Sequence, residues 1–166
     1  MTSLYLRVSI AQQTLAVYPS AALQAGEPLA TFAVSTGLSG AGNQKGSGQT
    51  PLGRHQVRAK IGAGCLENTV FVGRRPTGEI YHPQFAKQFP NRDWILTRIL
   101  WLSGLEKGWN RLGAVDTMQR YIYIHGTPDS EPMGKPMSHG CIRMRNADIV
   151  QLFDWTMPGT VVEITR

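Results

Sequence analysis

Large apolar residues alternate with smaller or polar ones over much of the chain, which is the pattern of half-buried β-strands. Leu4–Ile10 and Thr14–Tyr18 both alternate in this way and are separated by only three residues, which predicts a β-hairpin. Further strands are predicted at Leu29–Ser35, Arg54–Ile61, Thr69–Val72, Trp94–Leu102, Tyr121–Ile124 and Thr160–Ile164. A short helix is an alternative for Trp94–Leu102.

One helix is predicted, at Asn146–Trp155. Asn146 is a residue type that caps helix N-termini, and Ile149, Leu152 and Phe153 share one face at helical spacing. A Pro-Gly pair shortly after the last apolar residue ends the segment.

Two stretches have no periodic pattern. Residues 36–51 contain five glycines and no large aromatic residue, which predicts a flexible polar loop that is too long for a plain turn. Residues 74–92 contain three prolines and are predicted to be irregular. The sequence has no internal repeat and no linker, so residues 1–166 are predicted to form one domain that is mostly β with one or two helices.

Composition and charge narrow the functional classes. The 166 residues carry a formal net charge of +6, and the basic excess lies at 54–111, which holds ten basic and four acidic residues. A diffuse positive charge attracts nucleic acid, an anionic membrane or an acidic substrate. Because no run of like charge occurs and the four tryptophans are expected to pack in the protein, nucleic acid is not predicted as a partner.

The start of the chain does not match a signal peptide, because it has no basic region before its first apolar run and Arg7 interrupts that run. We therefore expect a cytoplasmic protein without a membrane span; a periplasmic location would fit a secreted domain trimmed of its leader.

The chemistry is concentrated in residues 121–146. Cys141 is the one residue type there that is a strong nucleophile near neutral pH, and it needs a base or a cation beside it. His139 and His125 are the two candidates: His139 is two residues away, on the same side if the backbone is extended, and His125 follows a buried strand. Gly140 removes a Cβ beside the nucleophile, so that backbone N–H groups can face a substrate oxyanion.

Two other interpretations stay open at this point. The first is a zinc site formed by His125, His139 and Cys141, with Cys65 as a further candidate ligand, although this spacing is not a usual ligand pattern. The second is a non-catalytic binding module for nucleic acid or, as the family resemblance given below implies, for peptidoglycan. Cys65 and His55 are expected to be structural.

The motifs around Cys141 resemble a known family. His125-Gly126, a spacer rich in Pro and Gly, and Ser138-His139-Gly140-Cys141-Ile142-Arg143 look like the signature of the YkuD-type L,D-transpeptidases. Ser35-Thr36-Gly37 and Thr50-Pro51-Leu52-Gly53 resemble an upstream element of the same family, and Thr160–Ile164 resembles its final strand. The resemblance implies a β-sandwich or barrel with one or two short helices.

The resemblance covers roughly residues 4–62 and 94–166. Residues 63–93 do not match the general pattern, and we expect them to be a family-variable insertion or a lid near the active site.

The family resemblance also implies roles. Cys141 would be the nucleophile that forms a thioester, His125 the general base and acid, and the carbonyl of Gly126 the group that orients His125. Backbone N–H groups of Gly140, Cys141 and Ile142 would form the oxyanion hole. No cofactor and no metal are implied, and carbapenem-type β-lactams would modify Cys141.

Ser138, His139 and Arg143 would shape the site and bind the substrate, and Arg145 is a further candidate. Arginine binds a free carboxylate best, by a bidentate contact. The weaker candidates for this contact are Lys135, Arg74 and Arg75.

The implied substrates are peptidoglycan stem peptides or muropeptides, cut before the terminal D-alanine. Transfer to water makes an L,D-carboxypeptidase that converts tetrapeptides to tripeptides; transfer to another stem or a D-amino acid makes an L,D-transpeptidase. We expect the carboxypeptidase, because no export signal is seen and arginines flank the nucleophile.

Overall fold

The computed structural model describes residues 3–20 and 26–166. Within them the chain forms ten strands, two α-helices and a 3₁₀ turn at Gly113–Val115. The strands are β1 (Tyr5–Ser9), β2 (Thr14–Tyr18), β3 (Ala30–Ser35), β4 (Gly53–Ile61), β5 (Thr69–Val72), β6 (Arg75–Ile80), β7 (Ile95–Gly104), β8 (Tyr123–Thr127), β9 (Ile142–Arg145) and β10 (Val161–Thr165). The helices are α1 (Pro83–Gln88) and α2 (Asn146–Trp155).

Eight of the strands close into a barrel. Their hydrogen-bonded order is β4-β10-β1-β2-β3-β9-β8-β7, and β4 also pairs with β7, which completes the ring. The β5–β6 hairpin continues from β7 outside that ring, since β5 pairs with Ile95 and Leu96 of β7. The mostly-β prediction is therefore confirmed, and closure removes free strand edges from the ring.

The barrel encloses one large apolar cluster to which every ring strand contributes. α2 covers it from one side through Ile149, Leu152 and Phe153, the three residues that the helical spacing placed on one face. A smaller cluster of Phe71, Ile99 and Tyr123 lies beneath the β5–β6 hairpin, and both cysteines pack against it.

The predicted helix has the observed bounds, but the predicted cap is wrong. The residue before the helix is Arg145, and Asn146 is the first helical residue. The Asn146 side chain is fully buried: it accepts a hydrogen bond from Thr97 Oγ1 at 2.6 Å and donates to Asn68 Oδ1 and Asp129 Oδ1. It thus joins three distant segments instead of capping its own helix.

Three elements were not predicted. β6 and α1 lie in the stretch expected to be irregular, and neither contains a buried residue, so no apolar periodicity marks them. β9 has only four residues and begins directly after the candidate nucleophile. The strand predicted at Tyr121–Ile124 begins two residues later and continues through His125, because Tyr121 takes a left-handed conformation with φ of 57°.

No helix in residues 3–20 and 26–166 has the length and apolar character needed to cross a membrane.

Candidate active site

The parallel pair β8–β9 builds the site. His125 lies opposite Arg143 in the register of this pair, and Ile124 lies opposite Ile142. Cys141 comes immediately before β9, next to β8: the backbone N–H of Tyr123 donates to its Sγ at 3.3 Å. Two segments sixteen residues apart in sequence are therefore brought side by side by strand pairing alone.

The imidazole of His125 is buried and held in one orientation. Its Nδ1 lies 2.6 Å from the carbonyl oxygen of Gly126, so Nδ1 carries the proton and donates it to that carbonyl. Nε2 is therefore the unprotonated nitrogen, and it has no hydrogen-bond partner among the described residues. Burial lowers the pKa of His125 below its usual value, so the ring is neutral near neutral pH.

Gly126 is required by packing. A Cβ at this position would lie 2.5 Å from Asn146 Oδ1 and 2.6 Å from the carbonyl oxygen of Leu96. A side chain would push β8 away from β7 and α2 and would move the carbonyl that orients His125.

The thiol of Cys141 is half-buried between two backbone groups. Its Sγ accepts from Tyr123 N–H and donates to the carbonyl oxygen of Tyr121 at 3.4 Å. Burial raises its pKa to about 12, and the charge of Asp93 adds to that rise. Near neutral pH the thiol of Cys141 and the imidazole of His125 are therefore both neutral.

The turn before Cys141 is shaped by the hydroxyl of Ser138. Ser138 Oγ donates to the carbonyl of Cys141 at 2.6 Å and accepts from the N–H of Gly140 at 3.1 Å. Of the three N–H groups predicted for the oxyanion hole, that of Gly140 is therefore already engaged, which leaves those of Cys141 and Ile142 as the predicted donors.

The same turn is fixed from the other side by the glycine-rich loop. Thr50 Oγ1 donates to the carbonyl of Gly140 at 2.9 Å, and a Cβ on Gly140 would lie 3.1 Å from the carbonyl oxygen of Gln49. Gly140 also has a φ of 125°, which L side chains rarely adopt. Arg120 donates to the carbonyls of Gly42 and Gln49, so the loop predicted to be flexible is tied down over the site.

Comparison with known proteins shows the family of this chain. The sequence model of the YkuD family, the L,D-transpeptidase catalytic domain, matches residues 3–164. The chain belongs to this L,D-transpeptidase family.

Individual relatives are similar over shorter or more divergent stretches. The "Putative L,D-transpeptidase YqjB" of Bacillus subtilis is 46% identical over 57 residues, which are 34% of this chain and 32% of that protein. L,D-transpeptidase 3 of Mycobacterium tuberculosis, solved with a faropenem-derived adduct, matches 99% of this chain at 18% identity and a TM-score of 0.58. An L,D-transpeptidase from Mycobacterium smegmatis matches 99% at 17% identity and a TM-score of 0.56.

The chain spans only about three fifths of the length of these two solved proteins, 61% and 59%. At such identities the structures show a shared L,D-transpeptidase fold.

Asp93 is a site residue that sequence reasoning missed. Its carboxylate lies 3.1 Å from Nη2 of Arg143 and 3.5 Å from Nδ1 of His139. Burial raises its pKa, but the charges of His125, Arg143 and His139 outweigh this, so the net pKa is lowered. No local signal marks Asp93, because its partner Arg143 is 50 residues away in sequence.

The predicted substrate-binding residues differ in burial and in their ion-pair partners. Arg143 is largely buried and engaged with Asp93, and it donates to the carbonyl of Met137. The side chain of His139 is 76% exposed and lies in a bend rather than a strand, so the alternation that would align it with Cys141 does not apply. The exposed side chain of Arg145 pairs with Asp148 at 3.9 Å, at the start of α2.

Two clefts meet at His139. One, of about 310 Å³, is lined by polar residues that include Asp93, Arg143 and Glu131. The other, of about 340 Å³, is lined by Arg120 and residues of the glycine-rich and 119–122 segments. Open space therefore lies on both sides of His139.

Residues 63–93 contact the residues around Cys141 and His125 at two points. Arg74, at the tip of the β5–β6 hairpin, donates to Tyr123 Oη at 3.0 Å, and Asp93 contacts Arg143 and His139. That the segment acts as a lid stays a prediction.

Among the described residues, no group of three or more His, Cys, Asp and Glu side chains is arranged to hold a metal. Both cysteines are free thiols.

Proposed function

We propose that this protein is a cysteine acyl-transfer enzyme that cuts peptidoglycan stem peptides before the terminal D-alanine and passes the acyl group to water, as an L,D-carboxypeptidase. The observation that carries the proposal is the placement of His125 and Cys141 on paired segments, β8 and the start of β9, where the thiol contacts β8 through the N–H of Tyr123. The buried Nε2 of His125 has no hydrogen-bond partner among the described residues, so it is available to accept a proton. The family to which the chain belongs supports the substrate class.

The geometry supports a reaction in two halves. Sγ of Cys141 attacks the carbonyl carbon of the third stem residue while Nε2 of His125 takes the thiol proton. The N–H groups of Cys141 and Ile142 stabilise the oxyanion. When the peptide C–N bond breaks, His125 returns the proton to the amine of D-alanine, which leaves a thioester.

Water completes the cycle. His125 takes a proton from a water molecule whose oxygen attacks the thioester carbonyl, the C–S bond breaks, and the thiol regains its proton. An amine of a second stem peptide in place of water would give a cross-link instead, by the same steps.

Two neutral groups suit this mechanism. Because the pKa of Cys141 is raised to about 12 and the pKa of His125 is lowered, no stable thiolate–imidazolium pair exists before substrate binds. Proton transfer then accompanies attack on the carbonyl, and Gly126 keeps Nε2 free to accept the proton throughout.

Mass spectrometry of a muropeptide tetrapeptide after incubation with the protein tests the proposal. We expect the tripeptide and free D-alanine, no turnover with Cys141→Ala, and a loss of about 10²–10⁴-fold with His125→Ala. Cys65→Ala is the control and should keep activity. Cross-linked or D-amino-acid-exchanged products would show that the protein is an L,D-transpeptidase and not an L,D-carboxypeptidase. An unchanged substrate would refute both activities.

A further inference from the structure

The guanidinium at the tip of the β5–β6 hairpin has no role in the acyl-transfer steps. We propose that Arg74 binds a carboxylate of the stem peptide beside Cys141 and so determines substrate specificity. The inference rests on the proposed function, and it names the side chain that recognises a carboxylate of the peptide.

The backbone at this tip is unusual for an arginine. Val72 of β5 pairs with Arg75 of β6, so Gly73 and Arg74 alone form the turn, with φ values of 56° and 65°. Two-residue turns of this kind favour Gly, Asn or Asp at both positions, because other side chains are strained at positive φ. An arginine in this place suggests that its side chain is needed for function.

The side chain is held in a fixed place before any ligand arrives. The Arg74 Cζ lies 4.6 Å from the ring centroid of Trp101 and 4.9 Å from that of Tyr121, and Nη1 donates to Tyr123 Oη at 3.0 Å. Contact with two rings and one hydroxyl limits the freedom that a flexible surface arginine has, so less entropy is lost on binding.

The position of this guanidinium is tied to the nucleophile. Tyr121 and Tyr123, which Arg74 contacts through their side chains, are the two residues whose backbone groups contact Sγ of Cys141. A guanidinium has five N–H donors, and Arg74 uses one of them within residues 3–20 and 26–166. Donors therefore remain for a bidentate carboxylate contact.

The other two arginines near Cys141 are less available. Arg143 is paired with Asp93, and Arg120 donates to Gly42, Ser47 and Gln49 of the glycine-rich loop. No acidic side chain in the described part of the chain forms an ion pair with Arg74, so its charge is not neutralised within that part.

Binding to the inactive Cys141→Ala protein, measured by calorimetry, tests the inference apart from catalysis. We expect Arg74→Gln to raise the Kd of the tetrapeptide muropeptide about tenfold, which is the usual loss for a charge-assisted contact at a partly exposed site. Arg75→Gln removes the same charge from the neighbouring exposed residue and should change Kd less than about twofold.

Two further variants separate binding from folding and from simple charge. Arg74→Gly suits the positive φ, so its melting temperature should equal or exceed that of the parent while the affinity still falls about tenfold. Arg74→Lys keeps the charge but loses the planar fork, and it should recover only part of the affinity.

A substrate with a C-terminal amide identifies which carboxylate is bound. If the Arg74→Gln penalty disappears with the amide, the terminal carboxylate is the ligand; if it persists, a side-chain carboxylate of the third residue is. Equal Kd values for Arg74→Gln and the parent with both substrates would overturn the inference. Release of D-alanine by the wild-type protein would in that case leave the proposed function standing.

Discussion

At the residue scale, the site joins two groups that are both neutral at rest. Gly126 fixes the tautomer of His125, and backbone groups of Tyr121 and Tyr123 hold the thiol of Cys141. The carboxylate of Asp93 acts on both groups: its charge raises the pKa of His125 and also that of Cys141. It reaches no reacting atom in this geometry, so we regard it as a positioning residue.

Replacing Asp93 by Asn should change the pH dependence of the reaction. Without the carboxylate the pKa of His125 falls further, so the base stays unprotonated to lower pH and the acidic limb of kcat/KM moves to lower pH. At pH 5 the variant should keep a larger fraction of its pH 7 activity than the wild type does.

The matched control for this profile is Glu79→Gln. Glu79 lies in the same segment but pairs with Arg92. An unmoved acidic limb in Asp93→Asn, or an equal shift in both variants, would show that the charge of Asp93 does not act on His125.

At the element scale, strand pairing brings the candidate catalytic residues together. β8 brings His125, the start of β9 brings Cys141, and the glycine-rich loop closes over the turn between them through Thr50. β4 pairs with β7, which in turn pairs with β8. His55, buried in β4, contacts the carbonyl of Gly53 through Nδ1 and Thr117 Oγ1 through Nε2, both at 3.0 Å.

The burial of His55 predicts a pH dependence of stability. Burial lowers its pKa to about 4 from an unfolded value of about 6.5, so between these pH values the unfolded chain binds more protons than the folded one. The free energy of unfolding should therefore fall as the pH drops, by about 2 kcal/mol between pH 7 and pH 5 from this residue alone.

Urea unfolding at the two pH values measures this difference. The His55→Gln variant has no imidazole at position 55, so it should lose about that part of the pH dependence of the unfolding free energy. His82 lies on the exterior next to Phe85, and His82→Gln should keep the pH dependence of the wild type. The same pH slope in His55→Gln and the wild type would contradict the assignment.

The sequence predicted most of the elements that contain buried apolar residues and missed the two that contain none. β1, β2, β10 and α2 carry regular apolar patterns and were found at or within two residues of their observed bounds. β6 and α1 contain no fully buried residue, so no apolar periodicity marks them.

For the site, the motif around Cys141 and His125 was local and readable in the sequence, as was Gly126. The contacts of Asp93 with Arg143 and of Arg74 with Tyr123 join residues about 50 positions apart. Such contacts depend on how β5, β6 and β7 are placed around the barrel, which no local pattern specifies.

At the scale of the whole molecule, the two ends of the chain close the barrel together. β10 lies between β1 and β4, parallel to β1 and antiparallel to β4, so the ring of strands is complete only when residues 161–165 are in place. Val162 opposes both Leu6 and His55 and is fully buried, whereas Val161 is only half-buried.

These two valines give a matched test of barrel closure. Val162→Ala should lower the free energy of unfolding by about 2 kcal/mol, from lost burial and the cavity left behind. Val161→Ala should lower it by less than about 1 kcal/mol. Urea unfolding of both variants measures this, and equal losses would show that the inner face of β10 does not seal the core.

The proposed mechanism requires that Sγ of Cys141 is the atom that carries the acyl group. Carbapenem-type β-lactams acylate a nucleophile and leave a stable adduct, so peptide-mapping mass spectrometry of the protein after such treatment identifies the reacting residue. If Cys141 is the nucleophile and His125 its base, one adduct should form, on the peptide that contains Cys141. The His125→Ala protein should form none on the same time scale. An adduct on Cys65, with Cys141 unmodified, would contradict this mechanism.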